Sequence, residues 1–237
     1  MRTIIVGDVH GCYKTLDALL KKVKLNKKKD QLIFVGDYTD RGPESYKVTQ
    51  LIRSLKEEMN ERCVLLLGNH EDMMLKYFEE GYKTWVIPCN GGSDTKKDFN
   101  ANNADVEDWA KWINKNSILF YEDERFRVVH AGFEDPDLNN NFEDTLLWDR
   151  NLIRSGDYSG KLTIIGHTPI HNPNLIFDRK AKKYEYDRVY EFPKLGLIDI
   201  DTGCVFNYSL TALIIKNNKI MFKKVDYKDA EVIDDNN

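Results

Sequence analysis

The sequence predicts an α/β protein whose first half is built on a parallel sheet. Three observations predict it. Between residues 3 and 78, strand-like apolar runs alternate three times with helical stripes. The units recur roughly 30 residues apart, the length that a βαβ crossover needs. Each strand runs into a glycine and a cluster of polar side chains, at the end where open α/β sheets place their ligands.

Thr3 to Val6 is a short apolar strand, cut off by Gly7-Asp8-Val9-His10-Gly11. Leu16, Leu19, Leu20 and Val23 then recur at helical spacing, with lysines on the opposite side. Gln31 to Val35 is the second strand and Gly36-Asp37-Tyr38-Thr39-Asp40-Arg41-Gly42 its loop. Pro43 suits a first helical turn, and Val48, Leu51, Ile52 and Leu55 form the stripe that follows. Cys63 to Leu67 is the third strand. It ends in Gly68-Asn69-His70-Glu71, with a helix expected over Asp72 to Phe78.

Residues 79–116 differ in texture. Asn90-Gly91-Gly92-Ser93 is a turn cluster, Asp94 to Asn103 is polar, and Asp105 to Ile113 has a helical stripe of Val106, Trp109, Ala110 and Ile113. The segment reads as an inserted helical lid or substrate-recognition element, or as a plain surface excursion. Beyond it come short strands: Ile118 to Tyr121, Arg125 to Val129, Leu162 to Ile165, Gly196 to Ile200, Val205 to Tyr208, Thr211 to Ile215 and Ile220 to Val225. Turns at Asp201-Thr202-Gly203 and Asn217-Asn218 suggest hairpins among the last of them. With no linker or composition break, residues 1–225 read as one domain and 226–237 as an acidic, flexible tail.

Composition bounds the function. The 237 residues are 41% hydrophobic and 31% charged, with a net charge of −4, which argues against a generic nucleic-acid binder. The run Lys27-Lys28-Lys29 reads as a solvated loop. No apolar run approaches the roughly 20 residues needed to cross a bilayer, so no membrane partner is expected. Cys12, Cys63, Cys89 and Cys204 are scattered without Cys-x-x-Cys spacing, and no signal-peptide pattern opens the chain. A reducing cytoplasm is the expected setting.

The chemistry lies at the strand ends. They supply Asp8 and His10, then Asp37, then Asn69 and His70, then His130, then His167. Only five histidines occur, and the fifth, His171, follows His167 closely. Imidazole, carboxylate and amide oxygen without thiolate suit Mn²⁺, Fe or Zn²⁺ and argue against a closed structural zinc site. Paired ions of this kind serve hydrolysis at phosphorus.

With those residues in view, the chain resembles the phosphoprotein phosphatase branch of the calcineurin-like metallophosphoesterases, of the bacterial or phage kind. The resemblance rests on Gly7-Asp8-Val9-His10-Gly11, Gly36-Asp37-Tyr38-Thr39-Asp40-Arg41-Gly42 and Gly68-Asn69-His70-Glu71. His130-Ala131-Gly132, Gly166-His167-Thr168 and Asp201-Thr202-Gly203 continue it in order over about residues 3 to 216. It implies a four-layer fold, two facing mixed β-sheets flanked by helices. It implies two divalent ions, Mn²⁺ foremost and Fe, Zn²⁺ or Ni²⁺ also suited. Asp8 and His10 would ligate the first, Asp37 would bridge, and Asn69, His130 and His167 would complete the second. His70 would be the general acid held by Asp40. Arg41, Asn69 and Arg150 would bind phosphate, and a metal-held hydroxide would attack phosphorus directly.

Around these, Glu71 reads as loop support or helix cap, Asp201 as a turn or supporting residue, and Trp148 as core packing. The long carboxyl-terminal region of eukaryotic relatives is absent, and Ala131 stands where they have glycine. Three functions remain open. The first is a Ser/Thr phosphoprotein phosphatase, active also on small phosphoesters. The second is a symmetrical bis(5'-nucleosyl)-tetraphosphatase, for which Tyr82, Trp85, Trp109 or Trp112 could stack a base. The third is a scaffold without metals, disfavoured because every presumed ligand is present.

Overall fold

The computed structural model describes residues 1–230. In chain order its strands are β1 (Arg2–Val6), β2 (Gln31–Phe34), β3 (Cys63–Leu65), β4 (Phe120–Glu122), β5 (Arg127–Val129), β6 (Thr163–Ile165), β7 (Asn174–Phe177), β8 (Lys180–Lys183), β9 (Val189–Glu191), β10 (Leu197–Asp199), β11 (Ser209–Lys216) and β12 (Lys219–Asp226). The helices are α1 (Tyr13–Lys22), α2 (Ser45–Met59), α3 (Asn69–Glu79), α4 (Gly92–Ala101), α5 (Val106–Asn116), α6 (Glu143–Trp148) and α7 (Asn151–Ser155).

The strands form two mixed six-stranded sheets, ordered β3-β2-β1-β11-β12-β9 and β4-β5-β6-β10-β7-β8. β1, β2 and β3 are parallel, as the crossover spacing predicts. β5, β6 and β10 are parallel in the second sheet. Side chains alternate along β1 and β2. Ile4, Val6, Leu32 and Phe34 enter the core under α1 and α2. Ile5, Ile33 and Val35 enter a second core shared with Val128, Ile164 and Ile198 of the other sheet. A strand buried on both faces needs an unbroken apolar run, which is what the sequence carries.

Several expectations are corrected. Val205 to Tyr208 is not a strand. Cys204–Phe206 is a 3₁₀ turn between Gly203 and Asn207, both left-handed at φ 65°, and the strand begins at Ser209. Asp94 to Asn103 is mostly helix α4; only Gly92, Thr95 and Phe99 of that helix are buried, too sparse a stripe to show. α3 starts at Asn69 rather than Asp72, so Asn69 and His70 lie in its first turn. The short β7, β8 and β9 carry no clear alternation and were not foreseen. Residues 79–116 pack Trp85, Phe99 and Trp109 into the core under the first sheet. At the end of the described chain, Asp229 is buried and accepts from the backbone N–H groups of Lys14 and Thr15 at 2.7 and 3.1 Å. The remainder of the expected tail, 231–237, lies outside the described residues.

Candidate active site

The carboxyl ends of β1, β2, β3, β5 and β6 lead into one cluster. His10 and Asp37 face each other across their loops, since the N–H groups of Val9 and His10 both donate to the Asp37 carbonyl. Gly68 and Gly166 make close approach feasible. A Cβ at Gly68 would stand 2.2 Å from Asp37 Oδ1, and one at Gly166 would stand 2.1 Å from Asp8 Oδ1. His10, Asp37, Asp40, Arg41 and His167 all have φ between 44° and 75°. Left-handed backbone at five side-chain-bearing residues is a strain that the surrounding packing holds in place.

Asp37 is the hub. Its Oδ2 lies 3.4 Å from His10 Nε2, and its Oδ1 lies 3.5 Å from His130 Nε2. One atom each from His10, Asp37 and His70 lies within 4.8 Å of the others, and the same holds for Asp37, His130 and His167. Asn69 Oδ1 joins the second group, 3.0 Å from His130 Nε2 and 2.9 Å from His167 Nδ1. Asp8 borders it, its Oδ2 accepting from the His167 N–H at 3.0 Å.

The donor set fits cations. His10 Nδ1–H donates to the Thr39 carbonyl at 2.9 Å, and His130 Nδ1–H to the Val35 carbonyl at 2.8 Å. A carbonyl only accepts, so each Nδ1 carries the hydrogen and each neutral ring turns a lone pair at Nε2 toward Asp37. Burial keeps the rings neutral, holding His10 at about 3, His167 at about 2 and His130 below its ordinary value. At His130 the lone pairs of Nε2, Asn69 Oδ1 and Asp37 Oδ1 therefore converge without a proton between them. Asp8 Oδ1 and His167 Nε2 are buried without a hydrogen-bond partner. Burial, with Asp201 and Asp37 nearby, pushes the Asp8 carboxyl well up. Burial alone would push the Asp37 carboxyl up, but the four surrounding imidazoles, once protonated in acid, outweigh it and hold the carboxyl below the usual range. Such a convergence of acceptors is what divalent ions relieve.

His70 stands beside this cluster. Its Nδ1 is 2.8 Å from Asp40 Oδ2, its N–H donates to Asp37 Oδ1 at 3.1 Å, and its ring meets His10 edge-on. Arg41 and Asp40 do not pair. Arg41 Nη1–H donates to His10 Nε2 at 2.9 Å and its Nε–H to the Cys89 carbonyl at 3.3 Å. Arg150 approaches from the α6–α7 corner and donates to Thr168 Oγ1 at 3.0 Å. Glu71 supports the β2 loop: its oxygens accept from the N–H groups of Asp37 and Tyr38 at 2.9 and 3.0 Å.

Three partners were not foreseen. Trp85 Nε1–H donates to both Asp40 oxygens at 3.0 and 2.9 Å, and Thr95 Oγ1 donates to Asp40 Oδ1 at 2.7 Å. Asp199 is buried, accepts from the Asp201 N–H and leaves Oδ2 unpartnered. Nothing local in the sequence marks Trp85 or Thr95. The Asp199-Ile200-Asp201 spacing was the one available signal for Asp199. Asp201 fills the turn role. It closes its turn by accepting from Gly203, and burial beside Asp37 lifts it to about 6. Trp148 corrects the core-packing expectation: it is 38% exposed, its ring edge-on to His167 at 6.1 Å.

Fold and site together define a phosphoesterase scaffold with two groups of potential cation ligands that have Asp37 in common. The chain belongs to the calcineurin-like phosphoesterase family, whose model matches residues 1–200. It is 27% identical to the asymmetrical bis(5'-nucleosyl)-tetraphosphatase PrpE of Halalkalibacterium halodurans, over 90% of this chain and 89% of that protein. It is 34% identical to the symmetrical bis(5'-nucleosyl)-tetraphosphatase of Erwinia tasmaniensis, over 56% of this chain and 44% of that protein. A protein serine/threonine phosphatase from Saccharomyces cerevisiae superposes with a TM-score of 0.65 at 16% identity, covering 98% of this chain and 82% of that one. At that identity the likeness shows the fold alone.

Proposed function

We propose that this chain hydrolyses dinucleoside tetraphosphates, with two divalent cations held by Asp8, His10, Asp37, Asn69, His130 and His167. The observation that supports this most is the pair of ligand-atom groups sharing Asp37. The substrate class follows the relatives whose similarity extends over nearly the whole chain. The Ser/Thr phosphatase reading favoured by the motifs takes second place, because its support here is a likeness of fold.

Two divalent ions, Mn²⁺ being our first choice, supply Lewis acidity toward phosphoryl oxygens and acidify water when bound. The chain's own residues do the rest. Arg41 and Arg150 offer planar guanidinium forks to phosphate oxygens, and the Asn69 amide helps to hold them. His70 delivers a proton to the departing oxygen, with Asp40 fixing the direction of its ring. Glu71 holds the backbone of Asp37 and Tyr38, so that the hub carboxylate keeps its place. No helix among the described residues is long and apolar enough to cross a membrane, and the four cysteines are unpaired. Both suit a cytoplasmic enzyme.

The test is a side-by-side assay of Mn²⁺-loaded protein on diadenosine tetraphosphate and on a phosphoserine peptide. Faster turnover of the dinucleotide is expected, and chromatography separates two ADP from AMP plus ATP. Preference for the phosphopeptide would overturn the reading.

A further inference from the structure

A cavity of about 400 Å³ opens beside the cluster, lined by Asp72, Lys76, Tyr82, Thr84, Asp144 and Trp148. Asp72 lies in the same helical turn as His70, and Trp148 stands edge-on to His167 at 6.1 Å. Two large aromatic rings are left open here, Tyr82 at 57% and Trp148 at 38% exposure, whereas Trp85 and Trp109 are fully buried. Among the described residues, Lys76 is the one cation lining this cavity. It is shared between Asp72 at 2.9 Å and Asp144 at 3.2 Å. Two carboxylates on one ammonium leave the cavity with negative charge to spare.

That charge selects the occupant. A phosphate tail or an acidic peptide segment is repelled. A flat, uncharged group with N–H and O–H donors is welcome, because aromatic faces stack it and carboxylate oxygens accept from it. The phosphates attached to such a group would then run toward His167, Arg150 and the shared carboxylate. We infer that this cavity receives one nucleoside of the substrate, with Trp148 and Tyr82 as stacking surfaces and Asp72 and Asp144 as acceptors. The inference rests on the dinucleotide reading and names the residues that would recognise the nucleoside.

The experiment uses Mn²⁺-loaded full-length protein with p-nitrophenyl phosphate as reporter, and ADP and pyrophosphate as competing inhibitors. Wild type is compared with Trp148→Ala, Trp148→Phe and Tyr82→Ala. The ratio of the ADP to the pyrophosphate inhibition constant should rise roughly 10–100-fold in Trp148→Ala, the scale of one lost base stack. It should return toward wild type in Trp148→Phe and rise less in Tyr82→Ala. A merely structural role would weaken both inhibitors together and leave the ratio flat, which overturns the inference. Should Trp148→Ala not fold, the largely exposed Tyr82 carries the test. Wild-type turnover of diadenosine tetraphosphate is scored separately. Its absence sinks the functional reading, whereas good turnover with an unmoved ratio sinks only the nucleoside cavity.

Discussion

Asp40 accepts from three side chains at once, the His70 ring, the Trp85 indole and the Thr95 hydroxyl. That makes the His70 ring rigid, and rigidity is what a proton donor needs to meet a departing oxygen. His70→Asn should lower turnover by roughly 10²–10⁴-fold, the usual worth of a general acid. Metal content, measured by plasma mass spectrometry, should stay near normal; undiminished activity would remove His70 from the chemistry. Trp85→Phe tests the support behind it. Losing one hydrogen bond to a charged group, worth about 1.5 kcal/mol, should cost about tenfold in kcat. The readout is steady-state kinetics beside metal analysis, and an unchanged kcat would reduce Trp85 to packing. Asp40 and His70 were legible because each sits inside a motif. Trp85 and Thr95 were not, since 45 and 55 residues separate them from Asp40.

The elements around the site follow local rules except where the chain returns from afar. The βαβ start was readable from its apolar runs and spacing, and so was the β11–β12 hairpin across Asn217-Asn218. Helix α4 was hidden by its polar composition. The start of α1 is a third case. Its N-cap residue, Cys12, makes no side-chain capping bond, and Asp229 instead accepts from its first-turn N–H groups from 215 residues away. Asp229→Ala should therefore destabilise the fold by about 1–2 kcal/mol, the cost of a lost helix cap. Urea denaturation of wild type and variant measures it, and equal midpoints would show that α1 does not depend on this contact. The effect should appear in stability more than in turnover, because α1 carries no proposed ligand.

Across the whole molecule, charge burial sets how stability responds to pH and to metal. Burial depresses the imidazoles of His10, His130 and His167. Below about pH 6.5, the unfolded chain then binds more protons than the folded one, so stability falls as pH drops toward 3. Burial and neighbouring carboxylates raise Asp8, Glu71 and Asp199, and lift Asp201 to about 6. For these the folded state holds the extra protons, so stability falls as pH rises through their raised values. Metal-free protein is squeezed from both sides. Bound cations relieve the carboxylates at high pH and compete with protons at low pH. Mn²⁺ should therefore raise Tm more at pH 8 than at pH 5, by differential scanning fluorimetry of stripped and reloaded protein. Equal gains at both would refute this account of the buried charges.

The sequence by itself determined the parallel start of the first sheet, the strand-end placement of each candidate ligand and, through its motifs, the family. These are short-range properties: a β-branched run, a glycine and an acid or imidazole are written side by side. Only the tertiary structure decided that Asp37 stands between His10 and His130, that Trp85 and Thr95 hold Asp40, and that Trp148 faces solvent beside Tyr82. Those facts depend on which loops two facing sheets bring to one edge. Distance in space is set by packing of the whole chain, and neighbouring letters do not carry it.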